Sequence, residues 1–118
     1  MAYQCKITVL RREYYQDLAD AYLADPATGK CPLFQEGQTF LVDESHFSKF
    51  THDGRFCQWA WDCISHLVYA TIVGGRPFRV GWSKDPKYTI CCCNDGARPV
   101  IFKLEAVEAE EPPPSPAQ

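Results

Sequence analysis

Thr89-Ile-Cys-Cys-Cys-Asn-Asp-Gly-Ala-Arg-Pro-Val-Ile-Phe-Lys103 reads as two strands around a turn and carries three of the chain's seven cysteines. Asn94-Asp95-Gly96 supplies residues that tolerate positive φ and bond their own backbone, so the chain can reverse there. Beyond the reversal, Val100, Phe102, Leu104 and Ala106 share one face and Ile101, Lys103, Glu105 and Val107 the other, the period-two signature of a half-buried strand. Before it, Tyr88, Ile90 and Cys92 share one face and Cys91 and Cys93 the opposite one. Three adjacent strand cysteines cannot all enter one site, so either Cys92 or the pair Cys91 and Cys93 faces the core. Pro99 lacks a ladder donor and belongs at a strand start or an edge.

Working outward, Tyr3, Cys5, Ile7 and Val9 alternate with Gln4, Lys6 and Thr8 as a first strand with Cys5 on its buried side. Residues 13–24 follow helical spacing, with Tyr14, Leu18, Ala21 and Tyr22 on one side, and Asp25-Pro26 ends the helix. A loop from Ala27 to Gln38 holds Cys31-Pro32-Leu33-Phe34 and leads into a short strand, Thr39 to Val42. Residues 43–54 are polar and irregular. From Phe56 to Val73 the run FCQWAWDCISHLVYATIV is apolar almost all round, as a buried helix is, and Gly74-Gly75 caps it. These elements predict a small α+β fold: a mainly antiparallel sheet, with strands near 3–10, 38–43, 87–93 and 99–107, packed against one long buried helix, plus a shorter N-terminal helix.

One domain over residues 1–107 suits a chain of 118 residues. Residues 1–104 carry twelve Lys/Arg against eleven Asp/Glu, and residues 105–118 add four Glu. The body is thus nearly neutral and has no basic stripe for nucleic acid. The proline-rich acidic end, residues 108–118, reads as a disordered tail. No apolar run reaches the ~20 residues of a membrane span. The N-terminal residues lack an apolar signal region, so the expectation is a cytoplasmic protein with free thiols or thiolate ligands rather than a disulfide framework.

No C-x-x-C, H-E-x-x-H, G-x-S-x-G, G-x-G-x-x-G or Walker-type motif occurs, which leaves a dispersed set of thiols. Cys31 lies in a loop between Lys30 and Pro32 and is the cysteine least explained as core filler. Cys57 and Cys63, six residues apart, point away from each other on a regular helix, so at most one joins a site. Cys57, in the first turn, is the better candidate, because a helix N-terminus favours the thiolate. Trp59 and Trp61 read as core. His46 and His52 read as solvated loop residues, and Arg76 and Arg79 as solvated cations.

The blocks C-x-I-x-V at Cys5, D-L-x-x-x-Y at Asp17, C-P-L-F-x-x-G-Q-x-F-x-V at Cys31, F-C-x-W-A-W-x-x-I at Phe56 and C-C-x-D-G-x-R-P-V-x-F-x-L at Cys92 resemble an uncharacterised conserved family of short cysteine-rich bacterial and archaeal proteins, sometimes tandemly repeated. The resemblance spans roughly residues 3–105. It implies that Cys5, Cys31, Cys57, Cys92 and Cys93 occupy the family's cysteine positions, that Cys63 and Cys91 are additions, and that segment 43–55 is longer than the family pattern. It implies no activity.

Three functional readings follow. In the first, soft thiolates from Cys31, Cys57 and Cys92 or Cys93, with Cys5 as a fourth donor, bind a transition metal such as zinc, iron or copper. The second is a cysteine-dependent enzyme acting on a small molecule, with Cys31 or Cys57 as nucleophile and Asp62, Asp95, His66 or Arg98 moving protons or holding an anion. A third is an accessory module whose cysteines only pack.

Overall fold

The computed structural model describes residues 3–74, 76 and 81–108. The chain forms β1 (Tyr3–Arg12), α1 (Gln16–Tyr22), β2 (Thr39–Val42), a 3-10 turn (Phe47–Lys49), α2 (Gln58–Gly74), β3 (Tyr88–Cys92) and β4 (Val100–Glu108). The four strands make one antiparallel sheet in the order β2-β1-β4-β3, and α2 packs on one face of it. This is the α+β architecture expected from the alternating runs. Among the described residues no helix is long and apolar enough to cross a membrane. Glu108, expected to begin the tail, instead ends β4 opposite Tyr3; the rest of the expected disordered tail, 109–118, and Gly75 and Arg79 lie outside the described residues.

Register explains which side chains enter the core. Cys5, Ile7 and Val9 of β1 stand opposite Ala106, Leu104 and Phe102 of β4, and all six are buried. Paired residues of antiparallel strands share a face. On β2, Val42 and Phe40 face the same way opposite Cys5 and Ile7. On β3, Thr89 and Cys91 oppose Leu104 and Phe102, whereas Cys92 opposes the outward Ile101. The open question of the three cysteines is thereby answered: Cys91 faces α2, and Cys92 is exposed on the outer face.

Between Val9 and Arg11 the register slips by one residue, a β-bulge at Leu10. The extra residue rotates the end of the strand, so Arg11 pairs with outward Ile101 and Arg12 with inward Val100. Without the bulge Arg12 would lie on the outer face. With it, Arg12 reaches the loop ahead of β2, where its guanidinium donates to the Cys31 carbonyl at 2.9 Å and to Glu36 Oε1 at 3.1 Å.

The inner face of α2 buries Ala60, Trp61, Ile64, Val68, Thr71 and Ile72. Its N-terminal half meets a cluster of rings. Phe34 sits edge-on to Phe56 at 5.0 Å and to Phe102 at 5.3 Å, and Phe50 lies 4.9 Å from Trp61 between ring centroids. The two edge-on Phe34 pairs add about 0.5–1.5 kcal/mol each beyond area burial.

Helix α1 is shorter than its spacing predicts. The Glu13 N–H donates to Pro99 O and the Tyr15 N–H to Ala97 O, both at 2.9 Å, so residues 13–15 stay extended beside the β3–β4 connection. Only Ala19 of α1 is buried, while Leu18 and Tyr22 are exposed. The expected apolar stripe is therefore not the buried side.

A thiol-lined cleft

Three segments meet at the N-terminal end of α2. They are the Cys31–Phe34 loop, the start of α2 itself and the connection from β3 to β4. Between them lies a cleft of about 340 Å³, lined by Cys31, Cys57 and Cys93 together with Trp59, Asp95 and Arg98. Phe34 and Val100, both buried, also line it. The volume suits a small molecule.

Each thiol is placed by a local cause. Cys31 is tied through its carbonyl to Arg12, and Pro32 follows it. Cys57 stands just ahead of α2, its carbonyl accepting the first helical bond from the Trp61 N–H at 2.9 Å. It therefore sits at the end of the helix where the unpaired N–H groups gather and negative charge is favoured. Cys93 extends the inward parity of Thr89 and Cys91. Its sulfur accepts the Val100 N–H at 3.3 Å, a contact that holds the side chain in one direction. All three are partly accessible.

The polar end of the cleft is built by one turn. Asp95 Oδ1 accepts the Ala97 N–H at 3.0 Å and the Arg98 N–H at 3.1 Å. Its other oxygen lies 3.5 Å from Arg98 Nε. The reversal expected at Asn94-Asp95-Gly96 is present, but it runs without positive φ, which occurs only at Gly29, Gly37, Gly54 and Gly81 among the described residues. The carboxylate of Asp95 does the work assigned to glycine freedom. Arg98 keeps guanidinium donors beyond its single contact with Asp95 and so can take an anion in the cleft.

The remaining cysteines sit elsewhere. Cys5 is fully buried beneath α2. Burial pushes its thiol up to about 12, against the smaller opposing effect of contacts with Thr71 and the Glu105 backbone. Burial does the same for Cys91, also to about 12, with the charges of Cys92, Cys5 and Cys63 adding to it. Cys63 packs against the core, and its thiol is raised first by burial and then by the nearby Cys93, Cys92, Asp62 and Cys57. Cys92 lies on the opposite face of the sheet from the cleft.

Of the acid–base candidates, Asp95 and Arg98 line the cleft, and Asp62 and His66 do not. Asp62 accepts from Gln58 Nε2 at 2.8 Å on the exposed side of α2, and His66 is exposed. His46 and His52 line a second depression with Lys49 and Arg55. There Asp43 Oδ1 lies 2.7 Å from His46 Nδ1. Burial opposes ionisation of Asp43, but the bonds from His46 and Ser45 outweigh it and hold its carboxyl below the usual range.

Two contributors were not legible as such. Trp59 reads as core, yet it is 72% exposed at the cleft, while Trp61 is buried. Two residues along a helix turn about 200°, so only one of the pair could have faced the sheet, and that spacing was the available signal. Arg12 gave no signal, because its direction depends on the bulge.

Among the described residues no group of three or more His, Cys, Asp or Glu side chains is placed to hold a metal ion. No protein-family model, no curated protein and no solved structure matches the chain.

Proposed function

We propose that this cleft binds a small anionic molecule and that a cysteine thiolate attacks it there, with Cys57 as nucleophile. The observation that carries the reading is that Cys31, Cys57 and Cys93, from three separate segments, line one cleft together with Arg98. Cys57 occupies the end of α2 that favours a negative sulfur, and Arg98 offers a cation for the ligand's charge. Trp59, largely exposed, adds an aromatic ring to the lining.

Cys92 is a built-in reference, since it is an exposed thiol outside the cleft. Timed alkylation with iodoacetamide at neutral pH, mapped by peptide mass, should modify Cys57 ahead of Cys92 despite its lower exposure. Cleft cysteines that all lag behind Cys92 would sink the reading.

A second reading is favoured by the same three soft donors: a transition metal held by Cys31, Cys57 and Cys93, with zinc, iron or copper(I) as the thiophilic choices. Among the described residues these sulfurs are not placed as a metal-holding group, so binding would require them to converge. Titrating anaerobically reduced protein with Cd²⁺ would test it through thiolate-to-metal charge-transfer absorption. An absorption that persists in the Cys57→Ser, Cys93→Ser double variant would place the ion elsewhere.

A further inference from the structure

We infer that Cys57 and Cys93 act in sequence as a dithiol, and that the molecule taken by the cleft is a low-molecular-weight disulfide bearing a carboxylate. The inference rests on the thiolate reading above and names its substrate class. It starts from a redundancy: one nucleophile needs one thiol, but three line the same cleft.

Two of those thiols are positioned by distinct local contacts. Cys57 stands just ahead of α2, its carbonyl accepting the Trp61 N–H, and Cys93 accepts the Val100 N–H on its sulfur. Cys31 engages its surroundings through its carbonyl. Cys57 and Cys93 both line the one cleft of about 340 Å³, and both are partly accessible. The pair is therefore brought to the same small space by separate segments and is differently anchored. Cys57 stands at a helix end, and Cys93 sits on a segment braced by β4.

In the first step the Cys57 thiolate attacks one sulfur of the ligand's S–S bond. A Cys57–ligand mixed disulfide forms and the other half leaves as a thiolate. The Cys93 thiolate then attacks the Cys57 sulfur, forming a Cys57–Cys93 disulfide and expelling the second half. Two electrons pass from the protein thiols to the ligand disulfide, and the two thiol protons go to solvent. A dithiol reductant returns the pair to its reduced form by the reverse exchange. Arg98 selects for the carboxylate, and Trp59 for a planar body beside it.

The test uses 5,5′-dithiobis(2-nitrobenzoate), a planar carboxylated disulfide whose released half is coloured, with the full chain carrying Cys92→Ser to silence the exposed thiol. The expected result is a fast release followed by a second, equal release. Peptide mapping should then find a Cys57–Cys93 disulfide and no retained nitrobenzoate. Cys93→Ala should stop after the first release with the adduct held on Cys57, and Cys93→Ser, which keeps an acceptor for Val100, guards against a folding artefact. Arg98→Gln should slow the reaction with this probe but not with cystamine, whose amines carry the opposite charge.

A stable adduct on Cys57 in the protein with Cys93 intact, or an internal disulfide through Cys31, would overturn the dithiol while leaving the nucleophile in place. Equal slowing of both probes by Arg98→Gln would overturn the carboxylate preference. A fast phase that survives Cys57→Ser would overturn the nucleophile itself.

Discussion

Cys93 and Val100 are bound to each other twice: the Cys93 N–H donates to Val100 O at 3.2 Å, and the Val100 N–H donates to Cys93 Sγ at 3.3 Å. In an ordinary antiparallel pair the second bond would end on a carbonyl. Here sulfur takes that place, so the strand pairing that closes the β3–β4 connection also fixes a cleft thiol. Structure and chemistry share one atom.

That double role can be separated. Cys93→Ala leaves the N–H of buried Val100 without its partner and should cost about 1–2 kcal/mol in urea unfolding. Cys93→Ser keeps an acceptor and should recover most of that loss while abolishing thiol reactivity at the position. Equal destabilisation by both changes would show that the sulfur contact contributes nothing.

Arg12 should control Cys31. Its guanidinium joins the Cys31 carbonyl to Glu36; the contact with the carbonyl is part-buried and carries the effect, whereas the pair with Glu36 is exposed and adds little. Arg12→Ala should destabilise by about 1–2 kcal/mol and raise hydrogen exchange across residues 30–36. Arg12→Lys should restore the charge but not the two-partner geometry. Unchanged exchange in Arg12→Ala would show that the loop is held by Phe34 alone.

Much of this frame was legible because it depends on short-range periodicity. The alternation of Cys5, Ile7 and Val9 and of Val100, Phe102 and Leu104 needs only a period of two, and the apolar run of α2 has nowhere to go but onto a sheet. The parts that were not legible depend on contacts between distant residues. The parity of Cys91 to Cys93 follows from pairing with Phe102 and Ile101. Residues 13–15 read as helix but are held extended by Pro99 and Ala97. The bulge at Leu10 carries no glycine or proline to announce it. Within the cleft, Cys31, Cys57, Asp95 and Arg98 were legible from loop position, helix start and turn chemistry, whereas the side Cys93 faces required the register.

Asp95 should report on the turn and on ligand charge separately. Asp95→Ala removes the acceptor of two backbone N–H groups and should cost about 0.5–2 kcal/mol, the scale of a lost side-chain cap. Asp95→Asn keeps the acceptor but removes the charge facing Arg98, so stability should hold while carboxylated ligands bind more tightly. A fall in that affinity on Asp95→Asn would mean that the Asp95 charge holds Arg98 in place for the ligand rather than competing with it.

The buried thiols should make the protein sensitive to alkali. Cys5 and Cys91 have thiols raised from 9.0 to about 12, in both cases chiefly by burial. Their neutral forms are favoured by folding, so each contributes stability that is fully present below pH 9 and lost as the pH rises toward about 12. Tyrosines and lysines titrate in the same window, so the diagnostic quantity is a difference between variants. Cys5→Ala should cost roughly 1–2 kcal/mol at neutral pH through the small cavity it leaves. Because the substituted chain has no thiol there to ionise, its stability should fall less steeply above pH 9, and the gap to the parent should narrow as alkalinity increases. Parallel curves for the two proteins up to pH 12 would show that Cys5 does not resist ionisation, and would argue that water reaches the space between β1 and α2.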